Sequence, residues 1–157
     1  MGTLGWVILS AVVAGVAIAL AWRPLRAFGR GSQVQFARQL FVQQREYLEA
    51  RFFTAAAASG KPRGLRWVNC DWDSAVEFAR ERDTGKLAAL VGVTLQFEAI
   101  EGSDMEGLPA VGNLRNASAV FFFDKGRWQT TGKTIFNLNP DEAIQHFGKQ
   151  YERVEIV

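Results

Sequence analysis

One cysteine and one histidine, Cys70 and His146, stand in a chain of 157 residues, and that scarcity removes whole classes of chemistry. A single thiol forms no internal disulfide, which agrees with a reducing compartment. One Cys and one His, 76 positions apart, make none of the common zinc sites. A nucleophile–base pair of the two would need a tertiary proximity that their spacing does not ask for. No catalytic or metal motif stands out, and no cofactor is expected.

Charge of either sign is missing from the first 22 residues. Leu4 to Trp22, LGWVILSAVVAGVAIALAW, is nineteen residues without an ionisable side chain. At a helical rise of about 1.5 Å per residue it spans roughly 28 Å, close to the hydrocarbon thickness of a bilayer. Trp6 and Trp22 mark its two ends, where indoles favour the headgroup level. A cleaved signal peptide would have a basic n-region and a shorter apolar core. A buried core helix would not need to be apolar on every face. A retained transmembrane anchor at residues 1–22 is therefore the expectation.

Arg23, Arg26 and Arg30 follow the span, and no Lys or Arg precedes it. Basic residues stay on the cytoplasmic side, so the N-terminus should face outward and the remainder should be cytoplasmic. Anionic lipid headgroups are the expected contact of these arginines. Pro24 is expected to end the helix, leaving residues 23–32 as a basic linker. Ala11, Gly15 and Ala19 repeat every four residues on one helical face, a spacing that lets a second membrane helix approach closely. Such residues are also common in spans that use no such face.

Of the 18 basic residues three follow the span, leaving 15 against 16 acidic ones in residues 33–157. That balance argues against a nucleic-acid surface, which needs clustered Lys and Arg. Those 125 residues are the size of one domain. With twelve Phe and five Trp, the whole chain is aromatic enough to bury a core.

From Gln33 to Ala58 a mostly apolar stripe recurs at three- and four-residue steps: Phe36, Ala37, Leu40, Phe41, Gln44, Tyr47, Leu48, Phe52 and Ala55. A long helix with one face against the rest of the domain follows. Ser59, Gly60, Pro62 and Gly64 end it. From Leu87 to Ala99 every odd position is apolar while Thr94, Gln96 and Glu98 are polar, a period-two strand long enough to expect a bend or bulge near Gly92. Asp83-Thr84-Gly85-Lys86 and Asp124-Lys125-Gly126-Arg127 read as hairpin turns, joining Val76–Arg82 to Leu87–Ala99 and Leu114–Phe123 to Trp128–Leu138. A short strand is expected at Leu65–Asn69 and a loop at Glu101–Gly112. Asn139-Pro140-Asp141-Glu142 starts a short helix with a capping box. The fold class is α+β: a long helix across a curved antiparallel sheet of four to five strands, with a short C-terminal helix.

This order of elements over residues 33–138 resembles the cone-shaped NTF2-like or cystatin-like architecture. The phrases GLRWVNCDWD, ALVGVTLQFEAIEG and AVGNLRNASAVFFFDKGRW resemble small bacterial proteins of planctomycete type. The resemblance implies a bacterial inner membrane. NTF2-like members range from isomerases and dehydratases to dimerisation and cargo modules, so the fold does not choose an activity. Enzymes of that group line the cone with Asp or His pairs, and no such dyad can be proposed here.

Asp71, Trp72 and Asp73 form the sharpest polar group in the chain. They read either as a ligand or partner site at a strand end or as a turn closed by Asx hydrogen bonds. The acidic loop Glu98, Glu101, Asp104 and Glu106 lacks EF-hand spacing and reads as solvated. Asn116-Ala117-Ser118 matches a glycosylation acceptor but falls in a strand. His146 reads as a surface residue; Trp67, Trp72 and Trp128 read as core, or as partner anchors where exposed. Two functions follow. One is a membrane-tethered, non-enzymatic interaction module whose partners are the bilayer and another membrane helix, from a second copy or a larger complex. The alternative is a ligand-binding or enzymatic cone with a pocket between the long helix and the sheet.

Overall fold

A computed structural model describes the backbone of residues 3–154 and the side chains of residues 31–154. The small-residue face Ala11, Gly15 and Ala19 and the anchors Trp6, Trp22, Arg23, Arg26 and Arg30 lie outside the described side chains. Among the described residues no helix is long and apolar enough to cross a membrane. Two compact units divide the chain, residues 1–39 and 40–156.

The first helix, α1, spans Thr3–Ala58 and contains the whole of the first unit described. Pro24 does not end it, and residues 23–32 are helical. An interior proline deletes one backbone hydrogen bond, while the turns on either side keep theirs.

The second unit is a layered α+β domain. The strands are β1 (Leu65–Glu81), β2 (Leu87–Ala99), β3 (Arg115–Asp124), β4 (Arg127–Gln129), β5 (Thr134–Phe136) and β6 (Tyr151–Arg153); the short helix α2 is Pro140–His146. They form one antiparallel sheet in the order β4-β3-β2-β1-β6, with β5 also beside β3. The sheet has six strands rather than four or five. Leu65–Asn69 and Val76–Arg82 are parts of one strand, which lowers the count by one, and two differences raise it. Residues 128–138 divide into β4 and β5. The three-residue β6 is too short to carry a readable alternation.

Within residues 40–58, α1 buries Phe41, Leu48, Phe52 and Ala56, which stand at steps of seven, four and four. Tyr47 is 60% exposed, as is 56% of Phe36 in the first unit. These two depart from the expected stripe. Tyr47 sits about 100° round the helix from Leu48, and a helix against one sheet buries only one narrow line.

Phe41 meets Phe78, Phe121 and Trp128 edge-on, with ring centroids 5.9, 5.4 and 5.0 Å away. Phe52 does the same with Trp67 and Trp72 at 6.2 and 5.4 Å. Each buried ring contributes roughly 1.5–3 kcal/mol by area alone. On the opposite face Ala79, Ala88, Leu90, Val120, Ile135 and Tyr151 pack with Ala143 and Ile144 of α2. Ala88 and Leu90 are thus covered by α2, and β2 is buried continuously from Leu87 to Val93. Past that point Gln96 and Glu98 are exposed, because α2 no longer covers them.

The expected capping box is present: Asn139 Oδ1 accepts from the Glu142 amide at 2.9 Å, and Glu142 Oε2 accepts from the Asn139 amide at 3.1 Å. Both hairpin turns form as well. In the second, Lys125 and Gly126 both have positive φ, 50° and 78°, so the pair makes a two-residue turn between Asp124 and Arg127. That mirror-image geometry matches the twist of the strands it joins.

Candidate functional site

Where α2 stops covering the sheet, the sheet opens into a hollow of about 350 Å³. Its polar walls come from four elements: Asp71 and Asp73 of β1, Thr94 of β2, Asn116 of β3 and Asn139 at the cap of α2. Gly92 and Val93 line it too. Three of the expected site residues, Asp71, Trp72 and Asp73, therefore share one place in the fold. Trp72 belongs to it only in part, since its ring lies against Phe52 and Phe121 on the other face.

The two aspartates are not a turn between strands. They lie within β1, whose pairing with β2 slips twice, between Trp67 and Asn69 and between Trp72 and Val76. At the second slip Asp73, Ser74 and Ala75 stand opposite the single residue Gly92. The expected irregularity near Gly92 is thus a bulge in the facing strand. The Asx contact survives inside it: Asp73 Oδ1 accepts from the Ala75 amide at 3.2 Å. Gly92 is demanded by the same arrangement. A Cβ there would stand 3.1 Å from Asp73 Cβ and 3.3 Å from Oδ2.

The hollow is rich in acceptors. Among the described residues no Lys, Arg or His side chain lines it. The Thr94 hydroxyl donates to Asn116 Oδ1 at 3.3 Å, and the Asn139 carbonyl oxygen is used by the cap. Asn116 was visible in sequence only as part of an Asn-Ala-Ser triplet, Asn139 only as a cap and Thr94 only as a polar strand position. Nothing in their spacing joins them, because the sheet register alone places Asp71 opposite Thr94 and Thr94 opposite Asn116.

Cys70 lies on the other side of β1, in a shallow groove of about 430 Å³ between Glu49, Ala50, Phe53 and Thr54 of α1 and Val68, Asn69 and Trp72 of β1. Burial pushes its thiol from 9.0 up to about 12, so it carries no thiolate at neutral pH. His146 is exposed at the end of α2, beside the Phe147 ring at 4.8 Å. Trp67 and Trp128 are core residues. In the acidic loop, Glu106 Oε2 accepts from the Gly102 amide at 2.8 Å, which closes the loop on itself. Among the described residues no three His, Cys, Asp or Glu side chains come together as a metal group.

A third opening, about 260 Å³, lies near the hairpin ends among Glu81, Thr84, Lys86, Phe122 and Asp124. Its charges are already matched. Lys86 pairs with Asp124 at 3.3 Å, and the Thr84 hydroxyl donates to Glu81 at 2.6 Å. That hydroxyl, with Gln150 and the ammonium groups of Lys133 and Lys86, holds the Glu81 carboxyl below its usual range.

No family model, curated protein or solved structure matches this chain.

Proposed function

We propose that this chain is a membrane-tethered, non-enzymatic interaction module, which self-associates or serves as an accessory subunit of a membrane protein complex. The observation that carries this reading is that one helix, Thr3–Ala58, contains both the uncharged stretch Leu4–Trp22 and the turns that build the domain core. Arg23, Arg26 and Arg30 orient the tether with its N-terminus outside and the domain in the cytoplasm, at a bacterial inner membrane. Ala11, Gly15 and Ala19 form the face for a second membrane helix. The Asp71–Asp73 hollow is the surface at which a docking partner's polar groups are met.

The alternative is an NTF2-like cone with its pocket between the long helix and the sheet. Phe41, Phe52, Phe121, Trp67 and Trp72 occupy the middle of that interface, which favours the interaction module. Cross-linking the full chain in native membranes tests the choice. The expected product is a species above monomer mass that Gly15→Leu diminishes severalfold. A cross-linked sample that stays monomeric and carries no second chain would overturn it.

A further inference from the structure

We propose that Arg45 is the positioning residue of the hollow, acting on it from the opposite face of the sheet. In an ordinary ladder a strand's carbonyls are used by its neighbours, but a bulge leaves some without a partner. Asp73, Ser74 and Ala75 fall between the paired residues Trp72 with Val93 and Val76 with Val91. Arg45 answers for two of them. Its guanidinium donates to the Ser74 carbonyl at 2.8 Å and to the Asp73 carbonyl, while its Nε donates to Glu49 at 2.6 Å. These are charge-assisted bonds from a planar fork, which fixes geometry as well as energy.

Asp73 is consequently held on both faces. Its carbonyl is bound to α1 on one side. On the other side its carboxyl group lies over Gly92 and lines the hollow. A shift of Arg45 moves the Asp73 backbone, and Asp73 moves the wall of the hollow. A change in α1 around Arg45 therefore has a route to the hollow. The route is one interaction deep and consists of named atoms, so it can be tested for coupling directly. The inference deepens the docking role proposed above. Its test needs no partner, so loss of the coupling and loss of docking are separate results.

The test is amide NMR on the full chain in bicelles. Arg45→Gln should speed amide exchange at Ala75 at least tenfold and displace the amide signals of Gly92, Thr94 and Asn116. Arg45→Lys, which keeps the charge and loses the fork, should fall between Gln and the parent. Arg51→Gln makes the same charge change on the same helix and should leave those signals in place. Changes confined to residues 73–75, with Gly92, Thr94 and Asn116 unmoved, would overturn the proposal. Gly92→Ala provides the reverse measurement should Arg45→Gln fail to fold. Coupling is reciprocal, so the crowded Asp73 should shift the Arg45 Nε–H signal. An unshifted signal would overturn the proposal equally.

Discussion

On the α1 side of the sheet Phe41 touches three aromatic rings within 6 Å, and Phe52, Trp67, Trp72 and Phe121 extend that contact along the strands. On the other side α2 covers the sheet with Ala143 and Ile144, and past it the surface becomes Asp71, Asp73, Thr94 and Asn116 around a hollow. The first face is dense and holds the domain together. The second is part core and part open polar surface. Dense core and open polar surface therefore lie on different faces of one sheet, and the Asp73–Ala75 bulge is where the two meet.

Substitutions can break that comparison. Phe41→Ala removes a fully buried ring and should cost about 3–5 kcal/mol, read as a lower urea midpoint with an unchanged slope. A loss near that of a surface site would mean that the α1 side does not carry the fold.

Cys70, at the margin of the α1 side, should show its neighbours' burial through chemistry. With its thiol pushed up to about 12, the folded chain should react with iodoacetamide at pH 8 far more slowly than the urea-unfolded chain does. The sign for stability follows from the raised folded value. The contribution is complete below about pH 9, where both states hold the proton, and fades as pH climbs toward 12. Equal labelling rates for folded and unfolded protein would contradict this.

On the hollow side the expected effect is the smallest. Asn116→Ala replaces an exposed side chain bonded to Thr94, and should change stability by no more than about 0.5 kcal/mol. A large loss would turn the hollow into a structural element and erase the contrast.

How far each face was legible in the sequence follows the same division. The alternation Leu87 to Ala99 and the Asn139 capping box were readable because a two-residue period and a four-residue cap are local signals. The long helix ended where Ser59 and Gly60 said it would. Tyr47 was misplaced because a three- and four-residue stripe is broader than the line a sheet can cover. The break predicted between Asn69 and Val76 does not exist, since two bulges let β1 absorb the polar stretch without ending. Of the hollow, only Asp71, Trp72 and Asp73 could be singled out beforehand. Thr94, Asn116 and Asn139 join them through strand register, and Arg45 through the packing of a helix 28 residues earlier. Long-range pairing of that kind leaves no mark on residue spacing.

The central claim, that this domain works at a membrane through its own N-terminal helix, is tested most directly by alkaline extraction of membranes holding the full chain. The chain should stay in the pellet, and Val13→Arg, which sets a charge at the middle of the span at a cost of about 2.5–3.5 kcal/mol, should move it toward the supernatant. Release of the unaltered chain into the alkaline supernatant would contradict the account.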